Sequence, residues 1–127
     1  MSETRPSDFE KLGGESGLKD HIRAFVARAH ADLIIGFLFQ SADLELLVER
    51  EAQFAARHLG GELTYTGRPL GQVHGPLRIN TGHFRRRHVL LANTLRERGV
   101  EEEVIERWLE AERPLLTLIT TGKDCDE

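Results

Sequence analysis

The amino-acid sequence predicts a single all-α domain of about five to six helices. Apolar residues recur mostly at the spacing of a helix, and glycine and proline residues divide the chain into segments of helix length. The one short apolar run that could form a strand, residues 33–39, has no second strand to pair with. At 127 residues the chain has the size of one domain. We expect that domain to span residues 1–127, with its core at about 9–120 and polar tails at 1–8 and 122–127.

Two amphipathic helices are predicted in the first half of the chain. Ser16 is the expected N-cap of the first helix. Residues 33–39 are interpreted as a helical turn or corner, and the second helix is expected to run from Ser41 to about Leu59, where Gly60 ends it. The inward-facing residues of the two helices are Leu18, Ile22, Phe25, Val26 and Ala29, and then Leu44, Leu47, Val48, Phe54 and Ala55.

Three more helices are predicted in the second half. A short one begins at Pro69, and Pro76 limits its length because the residue before a proline is driven away from α geometry. The next is capped by Asn80 or Thr81 and ends at Gly99. The last begins with three glutamates, which the positive end of a helix favours. The short helix carries Leu70, Val73 and His74, and on the next helix Phe84, Leu91 and Leu95 face one way. The last helix continues through Val104, Ile105, Trp108, Leu109, Leu115 and Ile119.

The composition excludes several classes of protein. The single cysteine, Cys125, cannot form an intramolecular disulfide, which removes the small secreted disulfide scaffolds. Seventeen basic and 21 acidic side chains give a net charge of −4, which repels nucleic acids and anionic membranes. The longest apolar run has seven residues, fewer than the roughly 20 that span a bilayer, and the start of the chain has no apolar signal region. We expect a cytoplasmic protein that binds neither nucleic acid nor membrane.

Two charged residues fall on predicted apolar stripes. Glu51 shares its helix face with Leu47, and Arg87 lies between Phe84 and Leu91. An ionised group that is buried without a partner costs several kcal/mol. Each of the two therefore needs a partner, a water-filled cavity, or a place at the edge of its stripe from which the charge reaches water. Periodicity alone favours the edge position.

The six histidines show none of the common metal or catalytic patterns. No pair has the spacing of a zinc protease, and one cysteine excludes the Cys/His zinc motifs. Nucleophile-elbow, dinucleotide-binding and Walker motifs are missing from the sequence as well. A single histidine is by default a surface or core residue. His74 differs because it lies on a short apolar helix between a glycine-rich loop and Pro76.

Several short motifs surround His74 in a fixed order. They are the run from Leu59 to Gly61, the run from Tyr65 to Leu70, Val73 with His74, Ile79, and His83 with Phe84, joined by Leu12 to Gly14, Phe25, Phe39, Gly99 with Val100, and Pro114 with Leu115. This series resembles the truncated hemoglobins, over about residues 9–120 and without an apparent gap relative to their group I pattern. The resemblance implies a shortened globin fold, a two-over-two helical sandwich that holds heme.

The resemblance also implies a set of site residues for heme b. His74 would coordinate the iron through a neutral imidazole nitrogen, with its other N–H held by a backbone carbonyl. Arg50 and Arg68 would pair with the propionates, and Trp108 would either line the pocket floor or be plain core. The expected ligands are diatomic gases, as in oxygen binding and transport. The implied heme contacts are Phe39, Leu47, Arg50, Glu51, Tyr65, Arg68, Leu70, Val73, His74, Ile79, Phe84, Arg87 and Trp108.

The distal side departs from the family pattern. Val26 follows Phe25 where family members commonly carry a tyrosine that donates to the ligand, and it has no donor. Glu51 stands where glutamine is frequent, and Arg87 where tryptophan or an apolar residue is usual. By family geometry both face the distal side of the heme, and a salt bridge between them would satisfy both charges. Arg87 could then donate to a bound ligand, and Glu51 could transfer protons or ligate ferric iron.

Three functions follow from these residues. The first is a heme-binding carrier of diatomic ligands such as oxygen or nitric oxide, with a reductase as a candidate partner. The second is a heme enzyme with peroxidase-like or nitric-oxide-dioxygenating activity, in which Glu51 and Arg87 are the candidate catalytic residues. The third is a heme-free globin-like domain used for interaction or sensing, against which His74 argues.

Overall fold

The described part of the structure is entirely helical. The computed structural model describes residues 6–40, 42–61 and 80–115, and these residues form five α-helices and no strand. The helices are α1 (Asp8–Lys11), α2 (Gly14–His30), α3 (Leu44–Leu59), α4 (Thr81–Glu97) and α5 (Glu102–Glu112), with short 3₁₀ helices at Gly36–Phe39 and Arg113–Leu115. The predicted all-α fold is confirmed.

Side-chain caps set the start of α3 and of α4. The Asp43 carboxylate accepts a hydrogen bond of 3.1 Å from the Leu46 N–H, and the Asn80 side chain accepts one of 2.8 Å from the His83 N–H. Each cap satisfies a backbone donor that the first helical turn leaves unpaired. Of the two caps predicted for α4, Asn80 is the one that forms.

Two predicted helix starts are wrong. The first long helix begins at Gly14 rather than behind a Ser16 cap, because Gly13 adopts a left-handed conformation with φ of 102° and forms the cap position. The following long helix begins at Leu44 rather than at Ser41, because Asp43 supplies the capping carboxylate. Aspartate at this position was available in the sequence as an N-cap signal.

The predicted end of the last helix is also wrong. The α-helix stops at Glu112, and a 3₁₀ turn follows it instead of continued α-helix through Leu115. Pro114 explains the stop, because it has no N–H to donate to the carbonyl one turn earlier and its ring clashes there. Ile119, predicted on the same helix, lies outside the described residues, as does the predicted short helix that begins at Pro69.

The corner between α2 and α3 is held by a buried carboxylate. Asp32 accepts backbone hydrogen bonds of 3.0 and 3.1 Å from Ile34 and Ile35, and its Oδ1 lies 2.6 Å from Nη2 of Arg86 on α4. The hydrogen bond from Arg86 is the main reason why the pKa of Asp32 falls to about 2. The turn predicted for residues 33–39 is thus confirmed, and it is fastened to α4.

The core lies where α2 meets α3 and α4 and is closed by α5, which packs against α4 and α3. A carbon at the Cβ position of Gly17 would lie 2.1 Å from the Leu12 carbonyl oxygen, so only glycine lets the end of α1 approach α2 this closely. Among the described helices, none is long and apolar enough to cross a membrane. The largest fully buried apolar side chains are Trp108, Phe25, Leu18, Ile22, Ile35, Leu91, Leu95 and Ile105.

Candidate functional site

Glu51 of α3 and Arg87 of α4 form an ion pair between their helices. Nη1 of Arg87 donates to Oε2 of Glu51 at 3.3 Å, and Nη2 donates to Oε1 at 3.2 Å. The two side chains are only 20% and 17% exposed. A two-pronged pair of this kind fixes the orientation of the guanidinium as well as its position. The ion pair that the family resemblance suggested for these two charges therefore forms.

A second carboxylate, Glu112 of α5, binds the same guanidinium. Nη2 of Arg87 donates to its two oxygens at 3.0 and 3.2 Å, and the side chain of Glu112 is 2% exposed. The indole N–H of Trp108 donates to Oε2 at 3.1 Å, and Nε2 of His88 lies 3.0 Å from Oε1. We call Glu51, Arg87, His88, Trp108 and Glu112 the polar cluster.

Glu112 was missed at the sequence level, although the signal for it was present. It lies four residues after Trp108 and eight after Val104, so it falls on the apolar stripe of its helix. The same periodicity argument that singled out Glu51 and Arg87 applies to it. Recognising Glu112 as a third charge on an apolar stripe would have indicated two possible carboxylate partners for Arg87.

The two buried charges hold each other ionised. Burial by itself would raise the pKa of Glu112, but the charge of Arg87 and the hydrogen bonds from His88 and Arg87 outweigh burial and lower this pKa to about 2. Burial likewise disfavours the charged form of Arg87, yet the charges of Glu112 and Glu51 raise the pKa of Arg87 above its ordinary value. The guanidinium and the Glu112 carboxylate thus remain charged across the physiological range.

The ring of Phe25 covers the guanidinium on the side of α2. The ring centroid of Phe25 lies 5.1 Å from Cζ of Arg87, within the range of a cation–π contact. Phe25 and Val26 are both almost completely buried. The position after Phe25 therefore offers an apolar side chain with no hydrogen-bond donor.

The faces of α3 and α4 that carry the ion pair also carry apolar side chains. Leu47 and Phe54 lie one turn before and one turn after Glu51, and Phe84 lies one turn before Arg87. Phe84 is buried, being 4% exposed, and Leu47 packs against the main core of the described residues. We call these three side chains the apolar wall.

Six of the predicted site residues lie outside the part of the chain that the structure describes. Among the others, Arg50 is half-buried on α3 and Phe39 packs against the core at the end of the corner. Trp108 is a core residue, being 1% exposed, and it is also a hydrogen-bond donor to the polar cluster. No group of three or more histidine, cysteine, aspartate or glutamate side chains in the described ranges could hold a metal ion. The residues outside those ranges are Tyr65, Arg68, Leu70, Val73, His74 and Ile79.

By its fold and helix order the chain is a globin, and it belongs to the bacterial-like globin family, whose model matches residues 7–120. The group 1 truncated hemoglobin of Mycolicibacterium paratuberculosis is 32% identical over 117 residues, which cover 92% of this chain and 86% of that relative. The group 1 truncated hemoglobin of Tetrahymena thermophila is 29% identical over 101 residues, which cover 80% of this chain and 84% of that relative. The resemblance to truncated hemoglobins is confirmed.

Solved structures agree with this assignment. The truncated hemoglobin of Tetrahymena pyriformis in its Fe(III) form superposes with a TM-score of 0.84 at 26% identity, covering 91% of this chain and 98% of that one. The hemoglobin of the thermophilic phototrophic bacterium Chloroflexus aurantiacus gives a TM-score of 0.75 at 28% identity, with the same coverage of 91% and 98%. The predicted truncated-globin fold is therefore confirmed.

The depressed pKa of Glu112 predicts a specific loss of stability in acid. A carboxylate whose folded-state pKa is lowered stabilises the fold above its unfolded pKa and loses that contribution as the pH falls through the folded value. For a shift from 4.5 to about 2, the contribution at neutral pH is about 3 kcal/mol, and it disappears between about pH 5 and pH 2. Urea unfolding at a series of pH values measures it.

The matched control is Glu102→Gln, which removes a carboxylate from an exposed pair with Arg96. We expect Glu112→Gln to be less stable than the wild type at pH 7 and to show a markedly flatter decline below pH 5. Glu102→Gln should change both much less, because exposed ion pairs contribute little. Equal pH profiles for the wild type and Glu112→Gln would contradict the assignment.

Proposed function

We propose that this globin binds heme b, with His74 coordinating the iron, and that it takes up diatomic ligands such as oxygen or nitric oxide. The observation that carries the proposal is the apolar wall next to a buried guanidinium, in a chain whose curated relatives are hemoglobins. The wall supplies surface for a flat macrocycle, and the guanidinium supplies hydrogen-bond donors beside it.

Heme would supply an iron centre with an open position for a small ligand, and the protein would supply the rest. Leu47 would pack on the ring, together with Phe39. On the proximal side the residues proposed from the resemblance are Leu70, Val73, Ile79 and Phe84, next to His74. Tyr65 and Trp108 complete the proposed contacts, and Arg50 and Arg68 are the proposed partners of the propionates.

On the distal side Arg87 takes the role that a tyrosine would otherwise have. A charged donor stabilises partial negative charge on a ligand more strongly than a neutral hydroxyl does. The Glu51 carboxylate acts in the opposite sense, because it competes for the same N–H groups and repels negative charge. The proposed ligand affinity is therefore set by the balance between Arg87 and Glu51.

The proposal includes a cytoplasmic location and a reductase partner. The single cysteine suits a reducing compartment. A carrier of oxygen needs ferrous iron, and an electron donor would restore that state after oxidation. Both points are inferences from composition and chemistry.

Hemin reconstitution tests the role of His74. We expect hemin to give the purified chain a Soret absorption band, and we expect His74→Ala to lose most of its intensity because the iron loses its protein ligand. The control is His21→Ala, which removes a histidine that accepts a hydrogen bond from Arg98 at the surface. A missing band in the wild type would favour the heme-free alternative, and an unchanged spectrum of His74→Ala would assign the iron to another residue.

Oxygen dissociation tests the role of Arg87. We expect Arg87→Leu to raise the dissociation rate of oxygen from the ferrous protein roughly tenfold or more, the size expected for a lost charged hydrogen bond. Stopped-flow displacement by carbon monoxide measures the rate. The matched control is Arg85→Leu, which alters an exposed arginine of the same helix. Equal rates in Arg87→Leu and the wild type would show that Arg87 does not face the ligand.

Peroxidase-like activity is a second candidate function, favoured by an arginine and a carboxylate that meet in a mostly buried site. A guanidinium can stabilise negative charge on peroxide, and Glu51 can accept and return its proton. We expect hydrogen peroxide to oxidise an added aromatic electron donor in the hemin-loaded wild type, and the rate to fall in both Arg87→Leu and Glu51→Gln. Turnover that survives both substitutions would exclude the pair as the catalytic group.

A further inference from the structure

The two carboxylates on Arg87 sit in unequal surroundings. Glu112 is 2% exposed and is held by three side chains, namely Arg87, His88 and Trp108. Glu51 is 20% exposed, and its hydrogen bonds with Arg87 measure 3.2 and 3.3 Å. Glu112 is therefore fixed on all sides, whereas Glu51 borders solvent.

The charges in the polar cluster do not balance around Arg87. One guanidinium faces two carboxylates, and His88, whose Nε2 lies 3.0 Å from Oε1 of Glu112, offsets the excess negative charge only when its ring is protonated. With a neutral His88 the excess remains unless one carboxylate turns away from Arg87. Glu51 can turn away from Arg87 more easily than Glu112 can, because water can solvate a carboxylate that is already partly exposed. The departure of Glu112 would leave the guanidinium and the indole N–H of Trp108 without their acceptor in the core.

We propose that Glu112 is a positioning residue that permanently anchors Arg87, and that Glu51 is an exchangeable counter-ion which a small monovalent anion replaces on the guanidinium. The site so formed is an anion subsite made of the Nη1 and Nη2 edge of Arg87, next to the apolar wall. This inference rests on the proposed function, since the anion is taken to bind at the distal side of heme. It assigns opposite roles to two carboxylates on one arginine.

The two roles can be separated because matched substitutions change the charge equally. Glu51→Gln and Glu112→Gln each remove one negative charge that lies within about 3.3 Å of Arg87. If charge alone controls the subsite, both variants bind anions more tightly. If Glu112 positions Arg87, Glu51→Gln binds anions more tightly and Glu112→Gln binds them more weakly.

The first measurement is azide titration of the hemin-loaded ferric chain at pH 7, followed by the Soret band. We expect Glu51→Gln to raise azide affinity about fivefold, and Arg87→Leu to lower it roughly tenfold, as for the loss of a charged hydrogen bond. Glu112→Gln should lower the affinity nearly as far as Arg87→Leu does. A rise in both glutamine variants would overturn positioning by Glu112, and unchanged affinity in all three variants would overturn the anion subsite.

The second measurement needs no heme. Trp108 is the only tryptophan of the chain, so its indole N–H gives one resonance in a proton–nitrogen NMR spectrum. We expect this proton to exchange slowly with solvent in the wild type and in Glu51→Gln, and at least tenfold faster in Glu112→Gln because its acceptor is weakened. Equal exchange in all three proteins would overturn the anchor, whatever the heme content.

A further variant keeps the inference testable if Glu112→Gln does not fold. Trp108→Phe removes one hydrogen bond to Glu112 and leaves every charge in place. We expect it to lower azide affinity about threefold, which a purely electrostatic role of Glu112 would not do. If Trp108→Phe keeps its Soret band and its azide affinity is unaltered, the inference is wrong and the proposed function stands. If the wild type shows no Soret band with hemin, the proposed function is wrong and the anion subsite with it.

Discussion

The guanidinium of Arg87 is the constraint on which the packing of this globin depends. It carries a positive charge between three helices, and α3 and α5 each direct a carboxylate at it while α2 covers it with the ring of Phe25. A charge in such a place is tolerated only when its partners reach it with good geometry. The distances of 3.0 to 3.3 Å from Arg87 to Glu51 and Glu112 therefore restrict how the helices can dock. With apolar contacts alone the helices could slide past one another more freely, because such contacts have no directional requirement.

The amphipathic stripes made most of this fold predictable. The predicted inward-facing residues of α2 are all buried, because a helix that packs against two neighbours shows its buried face directly as spacing in the sequence. The same spacing rule singled out Glu51 and Arg87 in the sequence, because a charged residue on an apolar stripe needs a partner. The fold family and His74 came from short motifs in a fixed order, which carry information that periodicity does not contain.

The missed features depend on contacts between segments far apart in the chain. Arg87 has two partners, 36 and 25 residues away, and no local pattern ranks Glu51 against Glu112. The attachment of Asp32 to Arg86 spans 54 residues and was equally hidden. Periodicity identifies the face of a helix on which a charge lies. It does not identify which helix packs against that face. The hydrogen bonds and charges of the polar cluster depend on that packing.

Arg86 and Arg87 are neighbours in sequence, yet they are anchored in different parts of the protein. Their side chains leave α4 about 100° apart, one toward Asp32 at the end of α2 and the other toward Glu112 and Glu51. A helix held at two azimuths can neither roll about its axis nor shift by one residue without breaking both attachments. Inserting or deleting one residue between Asn80 and Arg86 would turn both arginines by about 100° relative to the cap, so neither would reach its carboxylate partner.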